Sequence, residues 1–163
     1  MNPKVRFITR TALFLAIALG MQFLKLPQPI TGPVINAVLI LAVVYAGVSG
    51  AVLIGLLTPL IAYLVGILPP PLMPLIPVIM IANAILAIVF FFGRRINDWT
   101  GIGLAAVLKF LVFAAAIKGV FSFMHIVLPA PLIAGFMVPQ LLTALAGGVV
   151  AALIIRQFPP ETM

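Results

Sequence analysis

The sequence predicts an all-α membrane protein, a bundle of six transmembrane helices with both termini in the cytoplasm. Hydrophobic residues make up 65% of the 163-residue chain and charged residues only 7%, a composition far from that of soluble domains. Apolar runs long enough to cross a bilayer follow one another toward the C-terminal end, separated by proline-rich or basic segments. No polar domain follows the first run, so we expect it to remain as a helix and not to act as a cleaved signal peptide.

Each predicted helix ends at a break in the pattern. The first ends before the stretch 26–33, whose three prolines favour an extended loop. The turn Gly47 to Gly50 separates the second helix from the third, and a second proline-rich loop at 66–74 precedes the fourth. Together the helices form one membrane domain over 1–163, with predicted spans at 8–24, 34–48, 50–68, 73–92, 103–124 and 134–155.

The basic residues set the predicted orientation. If six spans alternate, the N-terminus, the segment after the fourth span and the end of the sixth span lie on one side of the membrane. The basic residues on that side are Lys4, Arg6, Arg10, Arg94, Arg95 and Arg156. By the positive-inside rule this side is the cytoplasm, and the proline-rich loops face outside. Topology and anionic lipid headgroups account for the net charge of +7, so we do not expect nucleic-acid binding.

Few residues could support catalysis or metal binding. The only acidic residues, Asp98 and Glu161, lie outside the predicted hydrocarbon region, so ion coupling or catalysis through buried carboxylates is not expected. The one histidine, His125, has no second histidine and no cysteine to complete a metal site. We therefore expect no catalytic residues, no metal and no cofactor, and any energy for uphill transport should come from a partner.

The polar residues within the spans indicate a small pocket that opens to the outside. Lys118 and Ser122 share a helix face that continues to His125 near the outer surface. Asn83 lies near the middle of the fourth span, and Gly147 continues the face of the polar residues in the sixth, where it lets a neighbouring helix approach. The candidate substrate-binding residues are Asn36, Asn83, Lys118, Ser122, Gln140 and Thr143.

Two lysines compete for a place in this pocket. Lys109 and Lys118 are nine residues apart, which places them on opposite faces of a helix. Lys109 lies closer to the inner end, from which its long side chain could reach the cytoplasmic headgroups. Lys118 is therefore the better pocket candidate, although outward snorkelling of Lys118 is an equal alternative. For Asn83 the alternative is an interhelical hydrogen bond that only fixes packing.

The first helix carries a row of small residues. Ala12, Ala16 and Gly20 are four residues apart, so they form one narrow stripe against which another helix can pack closely. Packing against helices of the same chain is the alternative to docking of a partner protein.

With this stripe, the chain resembles the substrate-binding (S) components of energy-coupling factor transporters, the vitamin importers of bacteria and archaea. The resemblance rests on six helices in a short chain, both ends inside, the Ala12-xxx-Ala16 pair, and the stretches QPITGPVINAVLILAVVYAG and PLIPVIMIANAILAIVFF. It implies a protein of the cell membrane that binds a small water-soluble vitamin or related metabolite outside, at a site in the outer half of the bundle. It also implies docking through the first helix onto a transmembrane coupling subunit driven by two cytoplasmic ATPases.

The chain has no GxxxxGK[ST] motif, so ATP binding would fall to its partners. The main alternative is a small structural membrane scaffold that binds proteins and has no ligand. A passive channel should have a polar face on several helices, and the polar residues here are too few for that. The lysine and the lack of nearby acids favour an anionic or carbonyl-rich ligand, but the sequence does not identify it.

Overall fold

The computed structural model describes residues 2–121 and 130–160, and this part of the chain is helical, without strands. A 3₁₀ helix, Pro70–Leu75, leads into the fourth α-helix, and a π-helical turn, Ala116–Phe121, extends the fifth. The α-helices of the described residues are α1 (Pro3–Phe23), α2 (Gln28–Tyr45), α3 (Val48–Leu64), α4 (Ile76–Gly93), α5 (Asp98–Ala115) and α6 (Ala130–Gln157). The predicted all-α class is confirmed.

Five helical segments are long and apolar enough to cross a membrane. They are Pro3–Phe23, Gln28–Tyr45, Pro70–Gly93, Asp98–Gly119 and Pro139–Gln157. The remaining helix, α3, is equally apolar in character but has only 17 residues. These lengths and compositions are compatible with a multi-pass membrane protein.

The expectation of an extended loop over 26–33 is wrong, because α2 already begins at Gln28. Pro29 lies in the first turn of α2, where a backbone N–H has no intrahelical partner in any case. Pro33 lies inside the helix, but the bond that it cannot make would reach only the carbonyl of Pro29, close to the helix start. The prolines of this stretch are therefore compatible with a helix.

Several other boundaries also differ from the predicted ones, and α1, for example, begins at Pro3 and not at 8. The second proline-rich loop, 66–74, contains a turn and then most of the 3₁₀ helix Pro70–Leu75. The fifth helix begins at Asp98 and not at 103, because the Asn97 side chain caps it and accepts a hydrogen bond of 2.7 Å from the backbone N–H of Thr100. Lys109 therefore lies about 16 Å along the helix from its first residue, and not about 9 Å as a start at 103 implies.

The helix α2 lies at the centre of the bundle. All residues from Asn36 to Val43 are buried, so this stretch has neighbours on every side. It packs against α1, α3, α4 and α6. By contrast, α1 is peripheral, and its fully buried residues are Ala18 and Gln22.

The chain ends and two of the connections gather at one end of the bundle. The Arg10 guanidinium donates a hydrogen bond of 2.9 Å to the carbonyl of Tyr45, and the Tyr45 hydroxyl donates to the carbonyl of Phe158. The start of α1 and the ends of α2 and α6 therefore meet. We call this the basic end, because it holds a groove of about 630 Å³ whose charged lining residues are Arg6, Arg10, Arg94 and Arg95. The opposite end, formed by the connections 24–27 and 65–75, is the proline end.

Close contact between α2 and α6 depends on Gly147. A methyl group added to Gly147 would lie 2.8 Å from Cβ of Asn36 and 2.9 Å from the backbone nitrogen of Ala37. The predicted close approach at Gly147 is thus confirmed, and its partner is the central helix. Backbone atoms of α2 cannot move aside as a flexible side chain can.

Replacing Gly147 with alanine should lower stability, because α6 must move away from α2, and overpacking of this kind costs about 1–3 kcal/mol. The matched control is Gly103→Ala in α5, where an added methyl meets no described atom within 4 Å. Alanine is the better helix former by about 1 kcal/mol, so Gly103→Ala should melt at or above the wild-type temperature. Thermal melts of the three proteins in one detergent test this, and equal melting of the two variants would contradict the packing argument.

Candidate functional site

A buried lysine lies at the centre of the polar interior. Lys109, on α5, is only 3% exposed, and its ammonium donates hydrogen bonds to Oδ1 of Asn36 at 2.6 Å and to Oδ1 of Asn83 at 2.8 Å. The two asparagines come from α2 and α4 and are themselves almost fully buried. We call these three residues the lysine cluster.

The two asparagine amides are held by further hydrogen bonds. Nδ2 of Asn83 donates to the carbonyl of Gly55 on α3 at 3.2 Å, and Nδ2 of Asn36 donates to Oγ1 of Thr143 on α6 at 3.4 Å. These bonds fix which amide atom is the oxygen, so both oxygens point at the ammonium. The lysine cluster therefore connects five helices, from α2 to α6.

The local pattern of α5 explains why Lys109 points inward. The buried residues Ile102, Ala105, Ala106 and Phe113 recur at helical spacing around Lys109, so all lie on one face. The side chain that continues this face must point into the bundle. The two alanines leave room for a long side chain to extend toward α2 and α4.

The charge of Lys109 has no acidic counterpart nearby. The sequence contains two acids, Asp98 and Glu161. Asp98 is the first residue of α5, about 16 Å along the helix from Lys109 at 1.5 Å per residue, and it pairs with Arg94 at 3.4 Å. Glu161 lies four residues beyond the end of α6, outside the described residues. Among the described residues, the interior therefore offers amide oxygens to the ammonium but no carboxylate.

A cavity of about 280 Å³ adjoins the lysine cluster. Its polar lining residues are Gln22, Gln28, Thr31, Asn36, Thr58, Asn83, Lys109 and Gln140. Apolar residues such as Ile35, Leu72 and Ile79 form much of the remaining wall. Leu26 and Leu68, from the two connections at the proline end, also line the cavity, so it extends from the lysine cluster toward that end of the bundle.

Unsatisfied polar atoms lie beside the cavity. Nε2 of Gln22 donates to the carbonyl of Thr58 at 3.2 Å, but Oε1 of Gln22 and Oγ1 of Thr58 have no hydrogen-bond partner among the described residues. Buried polar atoms without partners are unusual in proteins. Both residues line the cavity, although the two unpaired atoms are themselves buried.

The structure brings together most of the substrate-binding residues predicted from the sequence. Asn36, Asn83 and Gln140 line the cavity, and Thr143 is bonded to Asn36 and donates to the carbonyl of Gln140 at 3.3 Å. Ser122 lies outside the described residues. That these residues bind a substrate stays a prediction.

The preference for Lys118 over Lys109 as the pocket lysine does not agree with the structure. Lys118 is exposed and lies in the π-helical turn, which alters the helical phase on which its predicted face depended. The expected extension of Lys109 toward the cytoplasmic headgroups is not seen, since its side chain is only 3% exposed. Its side chain turns instead to the two asparagines.

The sequence prediction also left out four polar residues that line the cavity, Gln22, Gln28, Thr31 and Thr58. Gln22 follows the buried Ala18 by one helical turn on α1, and this spacing is the signal that could have identified it. Thr58 is flanked by Pro59 inside α3, and nothing in the local sequence distinguishes it from a threonine that only packs.

The row of small residues on α1 points away from the rest of the chain. Ala12, Ala16 and Gly20 are all exposed, and a methyl group added to Gly20 would meet no described atom within 4 Å. Among the described residues, this row is therefore not covered by another helix of the chain. The helix faces its own bundle through Ala18 and Gln22 instead.

Searches of protein-family models, curated proteins and solved structures find no match to this chain. The function of the cavity must therefore be inferred from its own chemistry. Apolar walls with a few polar groups, as at this cavity, are features that small-molecule sites in proteins share.

The two lysines should differ in reactivity toward a water-soluble acylating reagent. In the folded protein, Lys118 should be modified and Lys109 should not, because its ammonium is buried and hydrogen-bonded at both asparagines. Peptide mass spectrometry measures the extent of modification, with the exposed Lys25 as the internal positive control. Both lysines should react after denaturation, and early modification of Lys109 in folded protein would contradict its burial.

Proposed function

We propose that this protein is the substrate-binding subunit of an energy-coupling factor importer, which binds a small water-soluble vitamin or related metabolite at the outer face of the cell membrane. The observation that carries the proposal is the cavity beside the lysine cluster. The Lys109 ammonium is buried and bonded to two asparagine amides, beside a cavity lined by polar residues with atoms that have no partner among the described residues. Such a cavity suits the binding of a polar molecule. The resemblance in sequence supplies the transport system and its bacterial or archaeal setting.

In the proposed orientation, all six helices cross the membrane and both termini are cytoplasmic. The basic end, with its four arginines, then faces the cytoplasm, as the positive-inside rule requires. The 17 residues of α3 span about 26 Å at 1.5 Å per residue, close to the thickness of the hydrocarbon core. The cavity then opens through the proline end to the outside.

Transport would depend on partners. The chain has no nucleotide-binding motif, so a transmembrane coupling subunit and two cytoplasmic ATPases would supply the energy. The exposed row Ala12, Ala16 and Gly20 is the proposed docking surface, since small residues let helices pack closely within a membrane.

The alternative function is a structural membrane scaffold without a ligand. The exposed row on α1 fits this alternative equally well, but a scaffold gives no reason for a charged group beside an open cavity. Native mass spectrometry of gently purified protein separates the two. A retained small molecule supports the binding subunit, and an empty chain that still co-purifies with membrane proteins supports the scaffold.

The proposed orientation is testable with single cysteines, since the chain has none of its own. Leu24→Cys at the proline end and Ile96→Cys at the basic end replace apolar residues that are 61% and 74% exposed. In intact cells, a membrane-impermeant maleimide should label the cysteine at position 24 and leave the one at 96 unlabelled. Both should react after the membrane is permeabilised, and preferential labelling at 96 would reverse the orientation.

The docking surface is testable with Ala16→Trp. Because Ala16 faces away from its own bundle, the variant should keep its melting temperature within about 2 °C of wild type, as surface substitutions change stability little. It should nevertheless fail to co-purify with a coexpressed coupling module from the same genome and fail to support uptake.

The control for docking is Leu153→Trp, which places the same ring on an exposed site of α6 and should leave the complex intact. An uptake-competent complex from the Ala16→Trp protein would exclude this row as the docking surface. Loss of the complex in both variants would mean that bulk on any exposed face is harmful.

A further inference from the structure

Among the described residues, Lys109 as an ammonium has no acidic partner and one N–H group without an acceptor. We propose that the cavity binds a small monocarboxylate, with the carboxylate group on the ammonium of Lys109 and an apolar body against the remaining wall. This inference rests on the proposed substrate-binding function and specifies the chemical class of the substrate.

The charge of Lys109 selects an anion. A buried ammonium is stable when it is paired with an opposite charge, and neutral amide oxygens satisfy its hydrogen bonds without cancelling its charge. Asp98 is engaged with Arg94 at the far end of α5, and the sequence has no acid within α1 to α4. The counter-charge is therefore best supplied from outside the chain, through the cavity that Lys109 lines.

The available donors suit a carboxylate. An ammonium has three N–H groups, and the two asparagine oxygens accept two of them. The third has no acceptor among the described residues and remains for a ligand. Thr58, whose hydroxyl also has no partner among them, lines the same cavity together with Gln140. One cation and a few neutral donors match one carboxylate, whereas a phosphate dianion would require more positive charge.

The rest of the cavity suits an apolar or aromatic body. Ile35, Leu72 and Ile79 lie among its walls, and such side chains favour a ring or short hydrocarbon over a second charged group. The carboxylate would then lie at the deep end of the cavity and the body nearer the proline end. A ligand with one charged and one apolar part fits this division.

The test is a thermal-shift assay on the full chain in detergent, with a panel of aromatic and aliphatic monocarboxylates. Each acid is paired with its own primary amide, which keeps the shape and removes the charge. In the wild type, at least one acid should raise the melting temperature by several degrees while its amide raises it little. Lys109→Met should abolish this rise, and Lys118→Met, which alters an exposed lysine, should keep it.

A second variant keeps the test informative if Lys109→Met does not fold. Asn36→Asp places a carboxylate of nearly unchanged shape against the ammonium, in the position of an oxygen that now lies 2.6 Å from Nζ. This internal anion should raise the melting temperature of the ligand-free protein and remove the stabilisation by the acid. Undiminished stabilisation of Asn36→Asp by the acid would show that the ammonium is not its partner.

The remaining outcomes also decide the matter. Equal stabilisation by an acid and its amide, or stabilisation by no acid in the panel, overturns the inference. A neutral compound that stabilises the wild type but not Gln140→Leu would overturn the carboxylate and leave the proposed substrate-binding function standing. Failure of that function itself would appear separately, as an absence of any complex between the wild-type protein and the coupling module.

Discussion

The structure depends on one buried lysine, whose ammonium has no acidic partner among the described residues. The ammonium of Lys109 is held by amide oxygens from α2 and α4, and those amides are held in turn by α3 and α6. In the low-dielectric interior of a protein, loss of any of these hydrogen bonds would lower stability, because it would leave a buried polar group without a partner. The packing of five helices is therefore arranged around a single side chain, which also lines the adjoining cavity.

Small residues make this arrangement possible. Gly147 lets α6 approach the backbone of α2 beside Asn36, and Gly55 lets α3 approach Asn83, whose Cβ would lie 2.9 Å from an added methyl. Both glycines adjoin an asparagine of the lysine cluster. The hydrogen bonds of the lysine cluster therefore depend on close backbone packing, since wider spacing of the helices would lengthen the bonds that hold the amides.

The sequence allowed the helices, several polar residues of the cavity and the close packing at Gly147 to be predicted, because each follows from local pattern and composition. The role of Lys109 could not be predicted in the same way. It depends on the cap at Asn97, which sets the depth of the lysine, and on partners 73 and 26 residues away. The start of α2 at Gln28 does not follow from simple proline counting, because three prolines within 26–33 favour a loop. Their positions near the helix start, where proline is tolerated, make the helix possible. Local rules identify polar residues but do not say which of them meet.

The position of Gln22 has a thermodynamic consequence for the proposed transport cycle. This residue lies on the inward face of the peripheral helix α1, lines the cavity and bonds to Thr58, while the small residues of the same helix face outward. If a partner binds the outward face and a ligand contacts Gln22, both act on the position of one lightly packed helix. Thermodynamic linkage then requires that the two effects are equal: the factor by which the ligand changes the affinity for the partner is the factor by which the partner changes the affinity for the ligand. Loaded and empty protein would thereby be distinguished at the docking face without any signal passing through the lysine cluster.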